Sequence, residues 1–233
     1  MARTAIFDPI VVEPKLTPEK VRELVERQME SAKLDYKQDY IDGSENRYRL
    51  IKHVLAMANT AGGYIVVGVR NDGVACGVTD SAVRALDETK VRALVASATS
   101  VPIPLFVDTS IRHEAVQLVV VTVLPLEGRF AVSAIDAQKE KGSNPSYLFR
   151  KGDVLVRHGS ASERWQQDDA DFLGDRVAAG ARQRWRQDFV ADFAEMLRLA
   201  KGNAQLDVGE HAFDKSPAEF QALVLQLLRA SNG

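Results

Sequence analysis

Two adjacent glycines between a helical pattern and an unbroken apolar run constrain the fold of this chain more than any other feature. Leu50, Ile51, Val54, Leu55 and Ala58 recur at three-and-four spacing, which paints one apolar face of a helix. Asn59 and Gly62-Gly63 stop it. Asparagine and glycine tolerate the left-handed conformation of a helix C-terminus, and paired glycines let backbone pass close to backbone. The run 64–69 is short, continuous and apolar, as in a strand covered on both faces. Asn71-Asp72-Gly73 supplies turn residues next, and 74–78 is expected to return as a hairpin partner. Helix, glycine turn and buried strand in succession predict an α/β chain of the α+β kind, a mixed β-sheet flanked by helices.

Around that unit, Thr17-Pro18-Glu19 reads as a hydroxyl N-cap with proline in the first turn, opening a helix over 17–31. Residues 34–40 alternate, with Leu34, Tyr36, Gln38 and Tyr40 on one face and Asp35, Lys37 and Asp39 on the other, so Asp35 and Lys37 point the same way. A helix is expected over 83–98, ended by the prolines at 102 and 104. Residues 105–111 and 116–124 read as a hairpin around His113-Glu114, and 147–149 and 154–156 as short closing strands. The polar stretch 136–146 between them is expected to be an exposed loop. From Asp168 the pattern turns helical, with Phe172, Val177, Trp185, Phe189, Phe193, Met196 and Leu197 among charges until Lys201-Gly202-Asn203. Ser216-Pro217-Ala218-Glu219 is a capping box that opens a further helix through Phe220, Leu223, Val224, Leu227 and Leu228. Those apolar faces need a partner, either the domain itself or another chain.

Composition narrows the class. The 233 residues are 45% hydrophobic, enough to bury a core. One cysteine, Cys76, rules out a disulfide framework and any zinc site built from several cysteines. The start of the chain lacks an apolar signal core, and the longest apolar stretch, 118–124, is far too short to span a bilayer, so a soluble cytoplasmic protein is expected. A net charge of −2 is poor footing for nucleic-acid binding, where phosphate neutralisation by Lys and Arg supplies most of the affinity. The charge is uneven, however. Arg129, Lys139, Lys141, Arg150, Lys151, Arg157 and Arg164 gather in one segment, either as a basic surface or as an ordinary solvated face.

Four segments together carry a resemblance: Leu34-Asp35-Tyr36-Lys37, the stretch from Ala56 through Asn59-Thr60-Ala61-Gly62-Gly63 to Val69, Tyr147-Leu148-Phe149-Arg150-Lys151-Gly152, and Arg157-His158-Gly159-Ser160. In order and spacing they resemble the AlbA-like nucleic-acid-binding domain of the Schlafen family. The resemblance covers about residues 14–164, which gives an arm over 1–13, a domain over 14–165 and a helical extension over 166–233. It implies RNA or DNA as partner, RNA preferred because characterised relatives cut structured RNA. Long members place two lobes in tandem to form a cradle; this chain carries one, so a homodimer is expected to rebuild it, with the C-terminal helices as glue or as a docking surface for a protein partner.

The resemblance also directs attention to carboxylates. Schlafen-type nucleases use a Glu, a second Glu five residues later and an Asp after the buried strand; Glu30 and Asp35 fall at the first two positions. Asp35 has a shorter arm than the family's Glu, Asn71 stands where the third carboxylate is expected, and Asp72 follows one residue on. Carboxylates brought together repel unless a cation sits between them, and oxygen ligands of this kind suit Mg or Mn, held here by Glu30 and Asp35. Lys37 matches the motif lysine and is a candidate phosphate contact. Asn59, Thr60, Gly62, Gly63, Arg150, Lys151, Arg157 and Ser160 are the further candidates for nucleic-acid contact; for Asn59 and the two glycines, capping and turning are the plainer roles.

No Gly-x4-Gly-Lys-Ser/Thr loop supports ATP binding, no Gly-x-Ser-x-Gly elbow supports acyl transfer, and no His-Glu-x-x-His pattern supports zinc chemistry. Three functions stay open: a metal-dependent endoribonuclease acting on structured RNA such as transfer RNA, a non-catalytic DNA or RNA binder, and an interaction subunit of a bacterial defence or regulatory complex.

Overall fold

The computed structural model describes residues 9–99, 101–139 and 146–201. The expected helix over 216–228, the first part of the N-terminal arm and the loop residues 140–145 with Lys141 lie outside the described residues. The chain divides into two compact units, Met1–Val177 and Ala178–Gly233.

The first unit opens with helix α1, Pro18–Glu26, whose N-cap Thr17 accepts from the Lys20 backbone N–H. It ends earlier than its pattern suggested because Gln28 takes a positive φ of 56° and turns the chain toward strand β1, Leu34–Lys37. Helix α2, Ser44–Asn59, leads through the glycine turn into β2, Gly63–Val67. The periodic stretch that followed breaks into α3, Asp80–Ala85, and α4, Glu88–Ala98. Asp87 causes the break: its carboxylate accepts from the N–H groups of Thr89 and Lys90, capping a new helix.

Strands β3, Leu105–Asp108, and β6, Val119–Val123, pair antiparallel, with the small ribbon of β4, Arg112–His113, and β5, Val116–Gln117, at their turn, where Glu114 has φ 52°. The main sheet has the order β1-β2-β6-β3, β1 parallel to β2 and the other pairs antiparallel. It is the expected mixed sheet. The return of 74–78 is reduced to the bridge Val69↔Ala75 beyond the Asn71-Asp72-Gly73 turn.

Strand β2 is buried along its whole length and separates two cores. Ile65 and Val67 face a core filled by α2, α4 and Phe149, whereas Tyr64 and Val66 face one filled by Ile10, Leu24, Val25, Leu34 and Tyr36. Each such aliphatic side chain contributes about 1.5–3 kcal/mol on leaving water. Gly63 is what lets β2 start there: a Cβ would lie 2.8 Å from the Lys33 carbonyl.

The remaining strands wrap α2. β7, Ala137–Gln138, pairs with β8, Tyr147–Phe149, and β9, Leu155–His158, turns through Gly159 and Ser160 into β10, Ala161–Arg164. All four pack against α2. A capping box between Gln166 and Asp169 closes a short 3-10 turn that opens α5, Ala170–Lys201. Within the second unit, Trp185 stacks on Phe189 at 5.5 Å. Among the described residues no helix is long and apolar enough to cross a membrane.

Candidate nucleic-acid interface

The alternation along β1 places Leu34 and Tyr36 in one core and turns Asp35 to the opposite face, toward α2 and β9. Asp35 is 2% exposed. Its Oδ2 lies 2.5 Å from the Lys37 ammonium, and its Oδ1 accepts from Arg157 Nη1 at 3.5 Å. Lys37 reaches Asp35 because residues two apart on a strand share a face.

Arg157, on β9, is buried, and its side chain is 0% exposed. It donates to the carbonyls of Ser31 at 2.7 Å, Ala32 at 3.3 Å and Leu34 at 3.5 Å, and to Ser162 Oγ at 3.0 Å. Burial lowers its pKa while Asp35 and then Glu30 raise it; the guanidinium stays charged. Glu30 spends Oε1 on the Tyr36 N–H at 2.9 Å.

His53, from α2, completes the cluster. Its Nδ1 sits 3.0 Å from Ser162 Oγ, 3.3 Å from Arg157 Nη1 and 3.5 Å from Asp35 Oδ1. Burial pushes its pKa down to about 4; Asp35 opposes, and Lys37, Arg157 and Lys52 add to the fall. The ring is therefore neutral near pH ~7, and Nδ1 accepts, since guanidinium has only donors. Ser162 and His53 had no sequence signal of their own: Ser162 lies on a strand absent from the pattern, and His53 is one polar residue on an otherwise ordinary amphipathic helix.

The structure thus brings Glu30, Asp35, Lys37 and Arg157 together, and leaves the Asn71-Asp72 corner out. Asn71 and Asp72 are exposed on their turn, where Asp72 pairs with Arg70 at 3.0 Å and accepts from the Val74 N–H at 3.1 Å. The donor set does not fit a divalent cation. Both Asp35 oxygens face side-chain cations, Glu30 holds a backbone N–H, and among the described residues no three His, Cys, Asp or Glu side chains gather around a point.

The candidates for nucleic-acid contact separate into buried and exposed sets. Asn59 is fully buried with its carboxamide consumed: it donates to Ala131 O at 2.8 Å and Leu155 O at 2.9 Å and accepts from Ala131 N at 2.6 Å. Thr60 returns its hydroxyl to Ala56 O at 2.8 Å. Gly62, at φ 71°, turns the chain where a Cβ would lie 2.6 Å from Val123 O. These positions build the turn, and the buried Arg157 has no surface to offer a phosphate.

Arg150, Lys151 and Ser160 are exposed. Arg150 lies over the Tyr147 ring at 4.4 Å from its centroid, and the Lys151 N–H is held by Asp136 at 2.8 Å.

A basic face surrounds them that the charge pattern only partly indicated. On α2, Lys52 is half-buried, and burial lowers its pKa; Arg49, Lys139 and Arg164 lower it further against the pull of Glu163. Arg49 and Arg164 have carboxylate partners in Glu45 at 2.6 Å and Asp153 at 2.7 Å, whereas Lys52 has no ion pair among the described residues. Trp165, directly after β10, is 45% exposed.

On the α1 side of the sheet, a separate cleft of about 700 Å³ is lined by α1, the 73–75 turn and the 110–114 turn; it mixes Arg22 and Arg112 with Glu26 and Glu114.

A family model described as Schlafen, AlbA_2 matches residues 30–166. No curated protein matches the chain. Among solved structures, a crystal structure of the DIP2311 protein from Corynebacterium diphtheriae is similar at 15% identity with a TM-score of 0.41, over 71% of this chain. The chain spans 29% of that protein's length.

Proposed function

Because the chain belongs to the Schlafen AlbA_2 family by the match over 30–166, we propose that it is a nucleic-acid-binding protein, RNA preferred, whose contact surface is the basic face of α2 and β7–β10. One observation carries the reading: Lys52 is held half-buried beside Arg49, Lys139 and Arg164, with Glu163 as the opposing charge but no ion pair to Lys52 among the described residues. Cations gathered at such a cost are relieved by a polyanion, which also releases its own counterions on binding. Arg150 and Lys151 extend the charge, and the exposed Trp165 ring offers a stacking surface for an unpaired base. A homodimer that pairs two such faces belongs to the same proposal. Its readout is the sedimentation of the purified chain at micromolar concentration, and a monomer there refutes it.

Metal-dependent cleavage of structured RNA is the reading that the surroundings of Asp35 support less, because cations already occupy that carboxylate. Fluorescence anisotropy with labelled transfer RNA, single-stranded RNA and duplex DNA across a salt series tests binding. Lys52→Ala is expected to weaken association and to reduce the salt slope by about 1, while Arg112→Ala, in the cleft on the α1 side, leaves both unchanged. Equal loss from the two variants, or no salt dependence, would refute the assignment. Intact RNA after incubation with manganese separates a binder from a nuclease.

A further inference from the structure

We infer that Asp35 acts in this chain as the internal counter-ion of Arg157, which ties hairpin β9–β10 to strand β1, that Glu30 caps the edge of that strand, and that nucleic acid is bound without a divalent cation at these carboxylates. The last clause rests on the nucleic-acid reading; the first two stand by themselves.

Strand β1 is an edge of the main sheet, so its outer backbone groups have no neighbouring strand. Side chains take that place. Arg157 donates to the carbonyls of Ser31, Ala32 and Leu34, and Glu30 accepts the N–H of Tyr36. A buried guanidinium needs a countercharge, and Asp35 supplies it at 2% exposure, with Lys37 against its second oxygen. Ser162 and His53 take up the remaining donor of Arg157 on the side of β10 and α2. The charges of Asp35, Lys37 and Arg157 are thereby paired within the protein, although the buried Asp35 Oδ2 meets Lys37 as an ion pair without a hydrogen bond.

A divalent cation would have to displace the Lys37 ammonium and then face the Arg157 guanidinium, with only Glu30 as a further carboxylate. Drawing Asp35 or Glu30 toward an ion would also strip Arg157 of its partner or free the Tyr36 N–H. The departure at the third carboxylate position agrees with this account: Asn71 is neutral, and the neighbouring Asp72 is turned to Arg70. The shorter Asp35 arm keeps its carboxylate beside β1, within reach of both Lys37 and Arg157.

Manganese titrated into the purified full chain, followed by calorimetry and by thermal unfolding against chelator, tests the inference. No saturable heat and an unmoved Tm are expected. Asp35→Asn keeps the volume but removes the countercharge of Arg157, so its Tm is expected to fall by several degrees. Glu30→Gln still accepts the Tyr36 N–H through its amide oxygen, so it is expected to fold with nearly wild-type Tm.

A saturable manganese isotherm that Glu30→Gln abolishes would overturn the inference, as would an Asp35→Asn protein of unchanged Tm. Anisotropy with transfer RNA is run in manganese and in chelator alongside. Equal association in both supports the inference, and association only with manganese overturns it. Absence of association in every arm refutes the nucleic-acid reading while the protein-only titration still decides the role of the carboxylates.

Discussion

Replacing His53 with asparagine removes an imidazole that burial holds neutral beside Arg157, and the consequence can be worked out from one titration. The ordinary histidine pKa of 6.5 falls to about 4 in the folded protein, and the side chain is only 18% exposed. Between those two values the unfolded chain binds a proton that the folded chain does not, so acidification favours unfolding. Above the unfolded value the effect vanishes. At pH ~5 the difference amounts to about 2 kcal/mol, and it grows to about 3 kcal/mol near the folded pKa.

Asparagine places a carboxamide oxygen where Nδ1 accepts from Arg157, so the cluster survives without the titration. Urea unfolding of both proteins at pH ~7 and pH ~5 is expected to show the native protein losing about 2 kcal/mol more than His53→Asn. An NMR titration of the imidazole should place its midpoint well below the ordinary value. Equal acid losses in the two proteins, or a midpoint near 6.5, would refute the burial argument.

Asn59→Ala leaves two buried carbonyls and one buried N–H without partners; a loss of about 3 kcal/mol or more is expected in chemical denaturation. Gly62→Ala meets both a positive φ and the Val123 carbonyl, so it should cost more than about 2 kcal/mol and lower the yield of folded protein. Trp165→Ala removes the exposed ring next to β10 and is expected to weaken binding of single-stranded RNA by about 1–3 kcal/mol in anisotropy, with duplex DNA little affected. Thr17→Ala loses the cap of α1, about 1 kcal/mol in denaturant, without altering nucleic-acid binding.

Much of the architecture was written in local pattern. The apolar stripe of α2, the paired glycines and the apolar run after them gave helix, turn and buried strand where the structure has them. The alternation at 34–37 correctly put Asp35 and Lys37 on one face. Pattern failed where a short-range polar contact competes with periodicity. The stretch over 83–98 reads as one helix because its apolar spacing is continuous, yet Asp87 captures two N–H groups and starts a second helix. Strand β10 went unseen because Ala161–Arg164 carries no strand-like alternation of apolar residues; pairing with β9 holds it. Arg157 read as a phosphate contact for a related reason: a sequence shows a charge but not whether it is buried.

By itself, then, the sequence determined the sheet-and-helix class, the glycine turn, the buried central strand and the family, because each depends on residues close together in the chain or on their order. The tertiary structure decided what the charged residues do. Arg157 meets Asp35 across 122 positions of sequence, and Ser162 meets His53 across 109, distances over which no periodicity reports. Whether a carboxylate holds a metal, caps an edge or neutralises an arginine depends on which charges packing brings beside it and how far water is excluded, and those are properties of the folded chain alone.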